Sequence, residues 1–136
     1  MMKIRFNRVA CIYAYFLASI FLLFGGVTLI SPDVMGYYKI ALEEPEARIA
    51  IRSIIGGGEL ALGILGYLGG RIRLSVSQRN TVFGTILLLV GVIRLASGVA
   101  EGVDHLSLSV LRESIIEMLL GVIALTLANT WNPKVR

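Results

Sequence analysis

The chain is poor in most of the residues that soluble chemistry uses. It has one cysteine, Cys11, so no intrachain disulfide can form. It has one histidine, His105, which with a single cysteine rules against a His/Cys metal cage. Only 16% of the 136 residues are charged, against about 25% in an average soluble domain. Proline occurs three times and tryptophan once. Neither a disordered chain nor an ordinary soluble enzyme fits such a composition. No Ser-His-Asp set is visible, so nucleophilic catalysis has weak support, and there are no Glu-x-x-His pairs for a carboxylate-bridged di-iron site.

What the chain has instead is apolar length and glycine. Hydrophobic residues make up 56%, with 15 glycines besides. A bilayer-spanning helix needs roughly 20 mainly apolar residues. Four such stretches are present, at about 9–30, 47–69, 81–100 and 110–128. The expectation is one transmembrane domain over 1–136, all-α, folded as an integral membrane four-helix bundle. The first apolar run exceeds a signal-peptide core and lacks a small-x-small cleavage site, so it reads as an uncleaved helix.

Charge sorts by side. The N-terminal segment, the second loop and the C-terminal segment hold Lys3, Arg5, Arg8, Arg71, Arg73, Arg79, Lys134 and Arg136, with no acid among them. The acids lie in the other two loops, with Asp33, Glu43, Glu44, Glu46, Glu101 and Asp104, or within the spans. Lys and Arg in short loops mark the cytoplasmic face. Both termini are therefore expected in the cytoplasm, at the plasma (inner) membrane in a bacterium. The net charge of +4 is a topology signal, and nucleic acid is not an expected partner. Tyr37, Tyr38 and Trp131 suit the membrane interface.

The charged residues inside the spans carry the functional information, because each costs several kcal/mol in hydrocarbon unless it faces a polar interior. Arg48, Arg52 and Glu59 are spaced i, i+4, i+11, one stripe of a regular helix. Glu113, Glu117 and Gly121 share a stripe on the last span, and Arg94 and Glu101 share one on the third. At 1.5 Å per residue Glu59 falls about 18 Å into its span, near the midplane. The expected arrangement sets Glu59, Glu113 and Glu117 against Arg52 and Arg94. Those five are the candidate ligand-binding residues; no catalytic residue, metal or cofactor is expected. Arg48, Arg112 and Glu113 have an interfacial alternative, with the arginines snorkelling, and Arg52 joins them if the second span begins near Ser53. A purely structural ion-pair network is the alternative for the rest.

Glycine recurs at seven-residue intervals, at Gly56, Gly63 and Gly70 and at Gly84, Gly91 and Gly98, and Gly66 with Gly70 forms a GxxxG. These read as helix-packing seams. Three adjacent glycines, Gly56-Gly57-Gly58, weaken the helix beside Glu59 and permit a kink.

The run Arg52-Ser-Ile-Ile-Gly56-Gly57-Gly58-Glu59-Leu-Ala-Leu-Gly63, with Arg94-Leu-Ala-Ser-Gly98 and Glu117 further on, resembles the small membrane-protein family called domain of unknown function 4345. The resemblance covers about Val9 to Leu127. Ile55 stands where that family has an aromatic residue, and Gly58 where it has a larger apolar one. The resemblance implies four spans and no particular activity. A coarser similarity to DoxX-like four-helix membrane proteins bears on architecture alone.

The sequence thus favours a binding or accessory membrane protein over an enzyme. It would hold a lipid-like or small ligand, or a partner helix or second copy, at an outward polar pocket. Two rivals stay open: a proton-coupled small-molecule transporter using Glu59, and a small membrane enzyme using Glu113 and Glu117 as acid and base.

Overall fold

The computed structural model describes residues 2–38, 42–100 and 107–130. Glu101, Asp104, His105, Trp131, Lys134 and Arg136 lie outside the described residues. The fold is all-α. The elements are α1 (Met2–Ile30), a 3-10 segment (Pro32–Tyr38), α2 (Pro45–Ile51), a π-turn (Arg52–Gly56), α3 (Gly57–Leu68), α4 (Val76–Ala100) and α5 (Leu108–Thr130). Among the described residues there is no strand.

Local chemistry sets the ends. Pro32 stops α1, because the residue before a proline is disfavoured in helical conformation. Pro45 opens α2 from an extended Glu44, where its missing N–H costs nothing. Gly69 and Gly70 close α3, and Arg73 turns the chain with a φ of 64°. Ser75 and Gln78 start α4 with a reciprocal cap. The Ser75 N–H donates to Gln78 Oε1 at 2.8 Å, and the Gln78 N–H donates to Ser75 Oγ at 3.2 Å. Ser107 caps α5 by accepting from the Val110 N–H at 3.3 Å.

Three helical stretches, Phe6–Ile30, Pro45–Leu68 and Val76–Ala100, are long and apolar enough to cross a membrane. Large apolar side chains lie outward along them, Ile12, Leu23, Ile54 and Ile93 among them. That inversion of the soluble pattern is what a lipid solvent demands. By this pattern the chain is a membrane protein.

The chain divides into two compact units, with the boundary inside α1 between Ala14 and Tyr15. The first comprises residues 1–14 with 74–136. Its core is Ala10, Ala14, Val76 and Leu127, with Cys11 and Tyr13 packed against it. Polar side chains bond to the backbone of neighbouring helices. Tyr13 Oη donates to the Leu120 carbonyl at 2.9 Å, Asn80 Nδ2 to the Ala10 carbonyl at 3.0 Å, and Ser77 Oγ to the Ala128 carbonyl at 2.9 Å. α4 and α5 pack antiparallel along glycines. A methyl group at Gly84 would lie 2.9 Å from the Gly121 carbonyl oxygen, and one at Gly91 would lie 2.8 Å from that of Ser114.

The second unit is residues 15–73. Here the C-terminal half of α1 packs against the π-turn and α3. A methyl at Gly25 would lie 2.5 Å from the Leu60 nitrogen, and one at Gly63 2.7 Å from the Leu22 nitrogen. The seam therefore runs through Gly56 and Gly63 but not Gly70. Gly70 lies past the end of α3, exposed, with nothing within 4 Å of its added methyl, so the Gly66–Gly70 pair is no packing motif.

Candidate functional site

Of the five candidate residues, three meet in the first unit. Arg94 lies on α4, three residues after Gly91; Glu113 and Glu117 lie one turn apart on one face of α5. Because Gly91 has no side chain, α5 sits close enough for the guanidinium to reach both acids. Arg94 Nε donates to Glu117 Oε2 at 3.1 Å, and Nη2 donates to Glu117 Oε1 at 2.8 Å. Nη1 lies 3.1 Å from Glu113 Oε2. The Arg94–Glu117 pair is the two-pronged geometry that gives guanidinium–carboxylate contacts their strength. About four-fifths of each of the two glutamate side chains is buried, and about three-quarters of that of Arg94. The exposed Arg112 approaches Glu113 at 4.0 Å. Two carboxylates on one guanidinium leave a charge of −1, which Arg112 offsets at the rim.

Depth follows from helix geometry. Arg94 stands about 9 Å before the C-terminal end of α4, and Glu117 about 14 Å beyond the start of α5. The cluster therefore lies well inside both helices. It presents a cation and two anions side by side, an arrangement that suits a ligand carrying charge of both signs.

Arg52 and Glu59 lie in the second unit. Arg52 is exposed and Glu59 half-buried. The stripe of Arg48, Arg52 and Glu59 expected from spacing does not form, and the π-turn is the reason. The Gly57 N–H bonds the Arg52 carbonyl five residues back. Such a turn adds the equivalent of one residue, rotating the helix beyond it by about 100°. Ser53 Oγ donates to the Ile49 carbonyl at 2.9 Å and the Ala50 carbonyl at 3.1 Å, covering acceptors where the regular ladder is interrupted. Arg48 turns elsewhere. Its Nη1 and Nη2 hold Asp33 at 3.1 and 3.0 Å, and its Nε donates to the Leu42 carbonyl at 2.9 Å. Glu59 pairs with neither arginine, and its Oε2 is buried with no hydrogen-bond partner among the described residues.

A second departure concerns Arg79, which the charge count places in a basic loop. It is in the first turn of α4 and only 5% exposed, beside the fully buried Asn80. With Asn7, these form a set of buried polar residues in the first unit that hydropathy alone missed. The signal was present: Ser75 and Gln78 are a capping pair, so Arg79 and Asn80 fall inside a helix. Among the described residues, no group of three or more His, Cys, Asp or Glu is placed to hold a metal ion.

No protein-family model, curated protein or solved structure matches this chain.

Proposed function

We propose that the protein is a small multi-pass membrane protein that binds a lipid-like or small ligand at the polar cluster of α4 and α5. The observation that carries this reading is the Arg94–Glu113–Glu117 network. It concentrates three charges inside apolar helices and leaves an exposed arginine, Arg112, at its edge. Ligands with paired opposite charges, such as a zwitterionic headgroup, match it: the cation meets Glu113 and the anion meets Arg112. α5 is the fourth span in this reading, completing a four-helix bundle. Both termini are cytoplasmic, so the cluster faces outward, at the plasma (inner) membrane in a bacterium. Kinship with the family called domain of unknown function 4345 is part of the same proposal, carried by the Arg52–Gly63 run. A partner helix or a second copy is the other occupant such a cluster would take. Both glutamates are engaged by Arg94, which argues against a free acid–base pair and hence against catalysis.

Native mass spectrometry from lipid nanodiscs tests the reading, with wild type beside Glu113→Gln and Arg112→Gln. A discrete adduct weakened in both variants, with helicity unchanged, is the expected result. A bare oligomer identical in all three would leave the cluster as scaffolding and sink the proposal.

Proton-coupled transport is a second reading. One observation favours it: the buried, unpartnered oxygen of Glu59.

A further inference from the structure

Four observations converge on Glu59. It stands 14 residues into the Pro45–Leu68 span, about 21 Å from that end and near the middle of the span. Its Oε2 is buried without a hydrogen-bond partner among the described residues. No described cation of its unit pairs with it: Arg52 is exposed on the far side of the π-turn, and Arg48 is held by Asp33. α1 brings Leu22, Gly25 and Leu29 to this stretch of helix, none of them ionisable. On its own helix Tyr67 lies two turns on, with its hydroxyl 2.7 Å from Ser19 Oγ. The helix just before Glu59 is the π-turn followed by Gly57 and Gly58. Neither glycine has a close neighbour: a methyl at Gly58 would meet nothing within 4 Å, and one at Gly57 only the Arg52 carbonyl, at 3.7 Å. A carboxylate within an apolar span, with no counter-charge among the described residues of its unit, calls for one from elsewhere.

We propose that Glu59 is an exchangeable ion site whose occupant is one small positive charge, a proton or an alkali cation. The π-turn and its open glycines are the deformable backbone through which the occupant enters and leaves. The inference deepens the transport reading but does not depend on the α4–α5 cluster.

The test uses the whole chain in phosphatidylcholine vesicles treated with dicyclohexylcarbodiimide. This reagent reacts with a protonated carboxyl. The acid proton passes to a carbodiimide nitrogen, the carboxylate oxygen bonds the central carbon, and the acyl group then migrates to nitrogen as a stable N-acylurea. Nothing leaves, and no oxidant or reductant is needed. Peptide mapping should place the adduct on Glu59, with none at that peptide in Glu59→Gln. Its rate should fall about tenfold per pH unit on the alkaline side of the site's midpoint. Sodium chloride slowing the reaction, against choline chloride at equal strength, identifies an alkali cation; no slowing identifies a proton. An infrared pH-step difference spectrum gives the independent reading, a protonated-carboxyl band that Glu59→Gln removes. If Glu59→Gln fails to fold, mapping of the wild-type adduct still locates the residue. A missing adduct together with a missing band overturns the proposal. So does an adduct whose rate ignores both pH and sodium. Occupancy without ion-coupled flux would leave this inference standing and remove only the transport reading.

Discussion

The two halves of the chain treat buried charge in opposite ways. α4 and the α2–α3 stretch both carry glycines seven residues apart, Gly84 and Gly91 in one and Gly56 and Gly63 in the other. Both carry an arginine that the sequence sets against membrane-embedded glutamates. On α4 the helix is regular, so Gly91 and Arg94 keep their faces and the guanidinium lands between Glu113 and Glu117. In the other stretch five residues wind as a π-turn, and the arginine before it and the glutamate after it part company. At the first site Arg94 holds both glutamates, with Arg112 at the edge. The glutamate of the second lacks a partner among the described residues of its unit. A single turn of altered pitch separates an ion-paired cluster from an unmet carboxylate.

The contrast predicts substitutions of opposite sign. Arg94→Gln leaves two mostly buried carboxylates facing each other and should cost about 3–5 kcal/mol, the range for removing one partner of a buried pair. Glu59→Gln removes a carboxyl with no partner among the described side chains and should leave stability equal or higher. Thermal unfolding of both variants in the same detergent decides it. If both fall equally, Glu59 has an internal counter-charge and the distinction between the regions fails.

Next in size is Gly91→Leu. Its added Cβ would sit 2.8 Å from the Ser114 carbonyl oxygen and from Met118 Cγ, so α4 and α5 must separate. Overpacking of this kind costs about 1–3 kcal/mol. Because the same glycine positions Arg94, the variant should also weaken the ion pairs. A double-mutant cycle of Arg94→Gln with Glu117→Gln, run in the Gly91→Leu background, should show a smaller coupling than in wild type. An undiminished coupling would show that close helix approach is not what brings the charges together.

How much of this was legible in the residues depends on what carries each feature. The apolar runs mark the helices because hydrocarbon admits little else. The seven-residue glycine spacing marks the α4–α5 seam because packing on a regular helix follows the same period. The i, i+4 pair of Glu113 and Glu117 marks one face for the same reason. The π-turn is invisible to periodicity, since Arg48, Arg52 and Glu59 fit a regular stripe well. Only the three adjacent glycines pointed to a weak place there. The partner of Arg48 was not legible because Asp33 lies 15 residues back, across a loop. Arg79 was misplaced because counting loop charges ignores the cap that Ser75 and Gln78 build.

The Arg48–Asp33 pair extends the comparison to the surface. It has the two-pronged form of Arg94–Glu117, but the side chains are 41% and 59% exposed. Exposed ion pairs contribute about 0.2–1 kcal/mol and are screened by salt. Arg48→Gln should therefore cost less than about 1 kcal/mol, with the loss vanishing at high salt, whereas the cost of Arg94→Gln should persist. Unfolding of both variants at low and high ionic strength separates the two cases; equal salt dependence would place Arg94 in water.

The smallest expected effect is the most informative about the π-turn. At Gly58 an added methyl meets nothing, so Gly58→Ala carries no steric penalty. In a helix interior alanine is favoured over glycine by about 0.5–1 kcal/mol. The variant should therefore raise stability slightly, by stiffening the backbone between the π-turn and Glu59. If that backbone must yield for Glu59 to exchange its occupant, the same change should slow carbodiimide labelling while leaving the α4–α5 cluster untouched. Hydrogen exchange of the amides at 53–59 supplies the link, since stiffening must appear there as added protection. A stabilised helix with unchanged labelling would mean that the π-turn turns Arg52 away but plays no part in ion entry. A destabilised one would mean that a neighbour approaches Gly58 closely, as one approaches Gly91, and the two regions would be more alike than their charges are.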